Sequence, residues 1–155
     1  MKKRQILTKS IVVSAVILLL SGFYITDYIV SQQYSFELVA KSDDVIIADG
    51  VSSVRFRIKL TKDEQPVANH KIYFYASNGS LPTSRLLTNE NGLITFTYYP
   101  YLYVNDKVTP LEDVTIYLQN ESNSYFFMVP ATWKFTMPVE KPQDSTTGVD
   151  WENLE

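Results

Sequence analysis

The chain contains no cysteine. That excludes a disulfide framework, a thiolate metal site, a thiol nucleophile and attachment through a lipidated cysteine. Histidine is almost as scarce. His70 stands alone, so the usual His/Cys zinc sets cannot be completed. Only 5 glycines and 7 prolines occur in 155 residues, which excludes collagen-like and low-complexity character. Positive charge is missing from most of the chain. Four of the 14 basic groups (Lys2, Lys3, Arg4 and Lys9) fall in the first ten residues, leaving 10 against 17 acidic groups afterwards. A domain with that balance has no electrostatic footprint for nucleic acid and is repelled by anionic lipid headgroups.

Long apolar runs are also absent, except for one. Ser10 to Thr26 carries no charge and lies between Lys9 and Asp27. Seventeen residues sit at the short end of what spans a hydrocarbon core, and Tyr28-Ile29-Val30 extends the run into the interface. The reading is a cytoplasmic basic terminus over 1–9, a transmembrane signal anchor over 10–30 and a juncture over 31–34. The basic cluster precedes the run, so the positive-inside rule puts residues 31–155 outside the cytoplasm. A cleaved signal peptide has the same basic and apolar parts, but no small-x-small site comes after Leu20. Ser14, Ala15, Ser21 and Gly22 offer a small-residue surface for packing against another helix.

The remainder of the chain is rich in tyrosine, with 11 in the whole sequence, and aromatics favour pleated surfaces. From Tyr34 the hydrophobic period becomes two. Phe36, Leu38 and Ala40 alternate with polar neighbours. Val54, Phe56, Ile58 and Leu60 face one way, while Arg55, Arg57 and Lys59 face the other. Ile72 and Phe74 oppose Tyr73 and Tyr75. Ile94, Phe96 and Tyr98 oppose Thr95 and Thr97, and Val114, Ile116 and Leu118 share a face. Leu86-Leu87 is a further short strand. Asp49-Gly50, Asn78-Gly79 and Asn91-Gly92 are turns. Tyr125 to Met137 is the last strand, bulged or at an edge because Pro130 interrupts it. About seven strands with regular turns predict an all-β, immunoglobulin-like β-sandwich over 35–138. Residues 139–155 read as a disordered acidic tail.

Two turn signatures resemble the bacterial Ig-like domains of the invasin and intimin (Big-1) type. The first is Ala48-Asp49-Gly50, with Asp63-Glu64-Gln65-Pro66-Val67 and Ile72-Tyr73-Phe74 after it. The second is Thr88-Asn89-Glu90-Asn91-Gly92 before Leu93-Ile94-Thr95-Phe96. The resemblance spans about residues 36 to 120. It departs from the pattern at the glycine missing before Pro66, at Asn89 in place of Asp, and in the long aromatic stretch Tyr99–Glu112. It implies the sandwich fold and a single copy of a module that adhesins carry in tandem.

No catalytic constellation is legible, so no enzyme activity and no cofactor are expected. His70 has no partner histidine or cysteine. Asp43, Asp44 and Asp49 supply oxygen ligands of the kind Ca²⁺ takes, but without EF-hand spacing, and no metal site is assigned. The candidate binding residues are Tyr98, Tyr99, Tyr101 and Tyr103, as an exposed aromatic patch, and Trp151, as an anchor in the acidic tail. Lys107 and Tyr125–Phe127 are further candidates for that patch. The expectation is a non-enzymatic, membrane-anchored interaction or structural module outside the cytoplasm. It would meet a protein partner as an accessory subunit of a cell-envelope assembly; the alternative is a surface-display adhesin-like or glycan-binding protein.

Overall fold

The computed structural model describes residues 2–126 and 129–143. It opens with helix α1 (Lys2–Gln32). From Lys9 to Gln32 this helix is long and apolar enough to cross a membrane. Ile11, Val12, Val13, Val16, Ile17, Leu18, Leu19 and Leu20 are all exposed, so apolar side chains surround the helix on every side. An amphipathic helix packed on a core would bury one face; a helix apolar all round needs an apolar surrounding. Its hydroxyls bond back to the helix, Ser21 Oγ to the Ile17 carbonyl at 2.8 Å and Thr26 Oγ1 to the Gly22 carbonyl at 2.9 Å. Those two hydroxyls therefore need no water along the run.

The strands begin with almost no connection. Strand β1 (Tyr34–Lys41) starts one residue after the helix ends. Gln33 is tied on both sides, its N–H to the Val30 carbonyl at 3.2 Å and its carbonyl to the Asp63 N–H at 3.1 Å. The stretch expected as a juncture is therefore helix up to Gln32 and sheet from Tyr34. The reason is that Tyr34 already pairs with Lys62.

Strand β2 (Ile46–Ile47) precedes the central β3 (Val54–Lys62), which pairs antiparallel with β1. On its other side β3 pairs with the short β4 (Gln65–Pro66) and with β7 (Leu93–Tyr98). The second sheet runs in the order β6 (Arg85–Leu87), β5 (Lys71–Ala76), β8 (Val114–Asn120), β9 (Ala131–Met137). Strand β10 (Val139–Glu140) pairs in parallel with β2, and Val139 is buried. The folded domain thus reaches into the stretch expected as tail, and residues 144–155 lie outside the described residues.

The two sheets close on one aromatic-rich core. Phe74 of one sheet stacks on Phe96 of the other at 4.4 Å, and Phe56 meets Phe135 edge-on at 5.1 Å. Val54, Phe56, Ile58 and Leu60 are all buried, as are Ile72, Phe74, Ile94, Phe96, Val114, Ile116 and Leu118. The alternation predicts each of these. It misplaces Ala40, which is exposed because a bulge between Leu38 and Ala40 shifts the register with β3. The last strand, expected from Tyr125, begins only after Pro130, at Ala131, on the sheet edge. Proline has no N–H to give to a ladder.

The fold is an immunoglobulin-like β-sandwich, and the signature turns sit where the resemblance requires. Asp49-Gly50 leads towards β3, and Gly92 leads into β7. Between β3 and β4 the turn residues Asp63 and Glu64 have φ of 47° and 66°. Two left-handed residues in a two-residue hairpin make a type I′ turn, for which glycine is best at the second place. The glycine missing from the signature is missed here. Glu64→Gly is expected to raise stability by up to about 1 kcal/mol, against the usual direction for glycine substitutions. Thermal unfolding of the two chains in the same detergent checks this; a lower midpoint for the glycine variant overturns it.

Candidate contact surfaces

The helix defines two ends of the sandwich. The near end holds Tyr34, Lys62, His70, Asn120 and the loop after β8. The far end holds Val54, Tyr98 and the segment 99–112.

The expected aromatic patch lies at the far end and is mostly turned inward. Tyr98 shares strand parity with Ile94 and Phe96 and is fully buried, so it belongs to the core and to no surface. Burial pushes its phenol up to about 12. Tyr99 is half-exposed and exchanges backbone hydrogen bonds with Ser80 at 2.8 and 2.9 Å. The Tyr101 hydroxyl accepts the Glu112 N–H at 3.1 Å and lies 3.3 and 3.4 Å from the Pro110 and Glu112 carbonyls. Tyr103 donates its hydroxyl to Asp106 at 2.9 Å, and the Lys141 ammonium lies over its ring at 4.8 Å. Tyr101 and Tyr103 thus staple an irregular segment to the domain. The large apolar side chains this segment exposes are aliphatic, Leu102, Val104 and Val108, set among the exposed polar residues Asn105, Asp106 and Lys107, with Val51 close by through the Asp49–Leu102 bridge. Tyr125 and Phe126 stand at the opposite end, on the loop after β8, and so join no patch with these rings. Phe127 and Trp151 lie outside the described residues.

A different set of tyrosines gathers on the flank, on the outer face of the second sheet. Tyr75 and Tyr117 are direct cross-strand partners, and their rings stack at 4.7 Å and 8°. Tyr73 lies 5.8 Å further along β5, with the Arg85 guanidinium over it at 4.8 Å. Arg85 in turn grips Glu121 through Nε and Nη2 at 3.1–3.3 Å. Tyr75, Tyr117, Gln119, Thr132 and Lys134 line a shallow cleft of about 410 Å³. At 4.7 Å the two parallel rings must overlap face to face, since rings side by side in one plane would be further apart. Each has spent a face on its neighbour. Strand alternation already turns Tyr73 and Tyr75 outward; only the pairing of β5 with β8 brings Tyr117 to them.

The third feature is the joint itself. Asp27 is fully buried although it ends the apolar run. Its carboxylate accepts the Ser124 hydroxyl at 2.6 Å, the Tyr125 N–H at 2.8 Å and the Phe126 N–H at 3.1 and 3.2 Å. One turn back, Phe23 stacks on Phe126 at 4.5 Å and 10°. Ser31 is buried as well. A lone acid at the edge of an apolar run was the only signal for this contact in the sequence.

His70 and Asp49 are occupied structurally. The Ser122 N–H donates to Asn120 Oδ1 at 3.0 Å, which turns the Asn120 amide nitrogen to His70 Nδ1 at 3.0 Å. Burial pushes the imidazole pKa down, and the charge of Lys62 adds to the effect. The folded state therefore takes up a proton at lower pH than the unfolded chain, which does so near the ordinary 6.5. Stability from this group is complete above that value and falls as pH drops through it towards the lowered folded pKa. Melting midpoints from about pH 8 to about pH 5 should decline less steeply for His70→Gln than for the parent. Equal slopes would remove His70 from the pH response. The Asp49 carboxylate accepts the Ser52 hydroxyl, the Ser52 N–H at 2.8 Å and the Val51 N–H at 2.9 Å. These bonds, the Ser52 hydroxyl first, hold its pKa below the usual carboxylate range. They make it a turn-forming residue. Among the described residues no group of three His, Asp or Glu side chains is placed to hold a metal.

No family model matches the chain, and no curated protein matches it. Among solved structures, the D0-D1 domain of intimin is similar at 16% identity over 69% of this chain and 49% of that one, with a TM-score of 0.48. A 282-residue C-terminal fragment of intimin, solved with the intimin-binding domain of its translocated receptor, is similar at 18% identity. It covers 69% of this chain and 33% of that one, with a TM-score of 0.48. The Yersinia pseudotuberculosis adhesin InvE is similar at 16% identity over 72% and 27%, also at 0.48. The chain spans about half or less of the length of these proteins.

Proposed function

We propose that this protein is a non-enzymatic interaction module, anchored by α1 with its N-terminus in the cytoplasm and its sandwich outside. It serves as an accessory subunit of a cell-envelope assembly and contacts a protein held in the same membrane. The observation that carries this is the joint. One residue separates helix from strand, and Asp27 fastens the loop after β8, which belongs to the second sheet, to the helix. A domain fixed this way cannot reach out on a tether. It presents its flank to whatever stands beside it. The flank carries Tyr73, Tyr75 and Tyr117 with Arg85, and Tyr and Arg are the residues that dominate protein contacts. The basic residues before the apolar run support the orientation. The joint also favours an uncleaved anchor, because removing α1 would expose the carboxyl-binding loop.

One observation favours display instead. The far end presents Val51, Leu102, Val104 and Val108 to solvent, as a tip that touches a distant partner would. A photo-crosslinking residue at Tyr75 or at Leu102, in the full chain in its own cells, separates the readings. A discrete adduct with a membrane protein from position 75 supports the subunit reading. Adducts from position 102 alone support display. No adduct from either overturns both.

A further inference from the structure

The loop after β8 does more than cap Asp27. We infer that Tyr125 and Phe126 form a second membrane contact, seating the near end of the sandwich in the lipid interface beside α1. This rests on the anchor reading above. Phe23 lies four residues before Asp27, about 6 Å deeper along a helix axis. Phe126 stacks directly on Phe23, so it is held at that depth, inside the run that carries no charge.

The chemistry of the loop suits the place. Aromatic side chains concentrate where the hydrocarbon meets the headgroups. Tyr125 is 70% exposed and Phe126 is 56% exposed, a poor arrangement in water for two adjacent rings. Tyr24, next to Phe23, and Tyr28, next to Asp27, are exposed on the helix over the same turn that the loop packs against. The backbone is prepared for low dielectric too. The N–H groups of Tyr125 and Phe126 and the Ser124 hydroxyl are spent on the Asp27 carboxylate. The same bonds shelter a charge that would otherwise be costly at that depth. An acidic domain is repelled by anionic headgroups, so its seating falls to uncharged aromatic rings. The consequence is a fixed tilt of the sandwich, with two points of contact in place of one.

The absence of cysteine makes the test clean. Single cysteines at Val16, Val51 and Tyr125 are spin-labelled in the full chain, reconstituted in phosphatidylcholine vesicles. Accessibility to oxygen and to a water-soluble nickel chelate is then read at each site. Tyr125 is exposed, so its label displaces no packed side chain. The proposal expects labels at 16 and 125 to be reached by oxygen and shielded from nickel, with 51 open to nickel. A label at 125 as open to nickel as that at 51, while 16 stays shielded, overturns the second contact and leaves the anchor standing. A label at 16 open to nickel overturns both.

Discussion

Asp27→Ala is expected to detach the loop after β8 from the helix while leaving the sandwich folded. Among the described residues the carboxylate accepts two backbone N–H groups and one hydroxyl, and it does so where water is excluded. Alanine strands these donors. Hydrogen bonds to a charged group contribute about 1.5–3 kcal/mol each, and orphaned buried donors add their own cost. The loop regains some solvation when it opens, so the net loss of docking free energy is set at about 3 kcal/mol. Amide exchange at Tyr125 and Phe126 should then accelerate by roughly a hundredfold. Amides in β3 and β8 should keep their protection, because their ladders lie outside the joint. Asp27→Asn keeps an acceptor oxygen and should fall between. Unchanged exchange at Tyr125 in the alanine variant would show that the loop is held by packing on Phe23 alone. The fixed orientation that carries the proposed function would then lose its electrostatic basis.

Gly92→Ala should be among the most damaging single methyl additions in the sandwich. Gly92 has a φ of +71°, and an added Cβ would stand 2.5 Å from the Leu60 carbonyl oxygen and 3.0 Å from the Val67 nitrogen. Neither neighbour can yield. The Leu60 carbonyl accepts the Val67 N–H at 3.2 Å, and the Leu60 N–H donates to the Gly92 carbonyl at 2.8 Å. Leu60 itself is a core residue of the central strand. The left-handed backbone alone costs a non-glycine residue about 1–2 kcal/mol. Moving β3 away from the turn adds to that, for an expected loss of about 3 kcal/mol or more. A thermal melt reads this as a drop in midpoint of well over ten degrees for a domain of this size, by the scaling of about 4–8 °C per kcal/mol. A drop of only a few degrees would mean that the turn before β7 is free to repack.

The apolar helix, the strand alternation and the turns are all legible in the amino-acid order. They are local properties, written in periods of two and in glycine positions, and they survive wherever the strands go. Tyr98 shows the strength of that local signal. Its parity with Ile94 and Phe96 already assigned it to the core, against its reading as a surface ring. Which tyrosines meet is a matter of strand pairing and is legible only in three dimensions. Tyr75 and Tyr117 are 42 positions apart and become neighbours through the antiparallel pairing of β5 with β8. Register between distant strands depends on both strands at once, so neither segment carries it alone. The joint is the extreme case. Asp27 reads in the sequence as a boundary of the apolar run, and nothing near it announces a partner. Its partners among the described residues lie 97 to 99 residues away. They reach it because the sandwich folds back on its own first strand and returns the loop after β8 to the end where the helix stands.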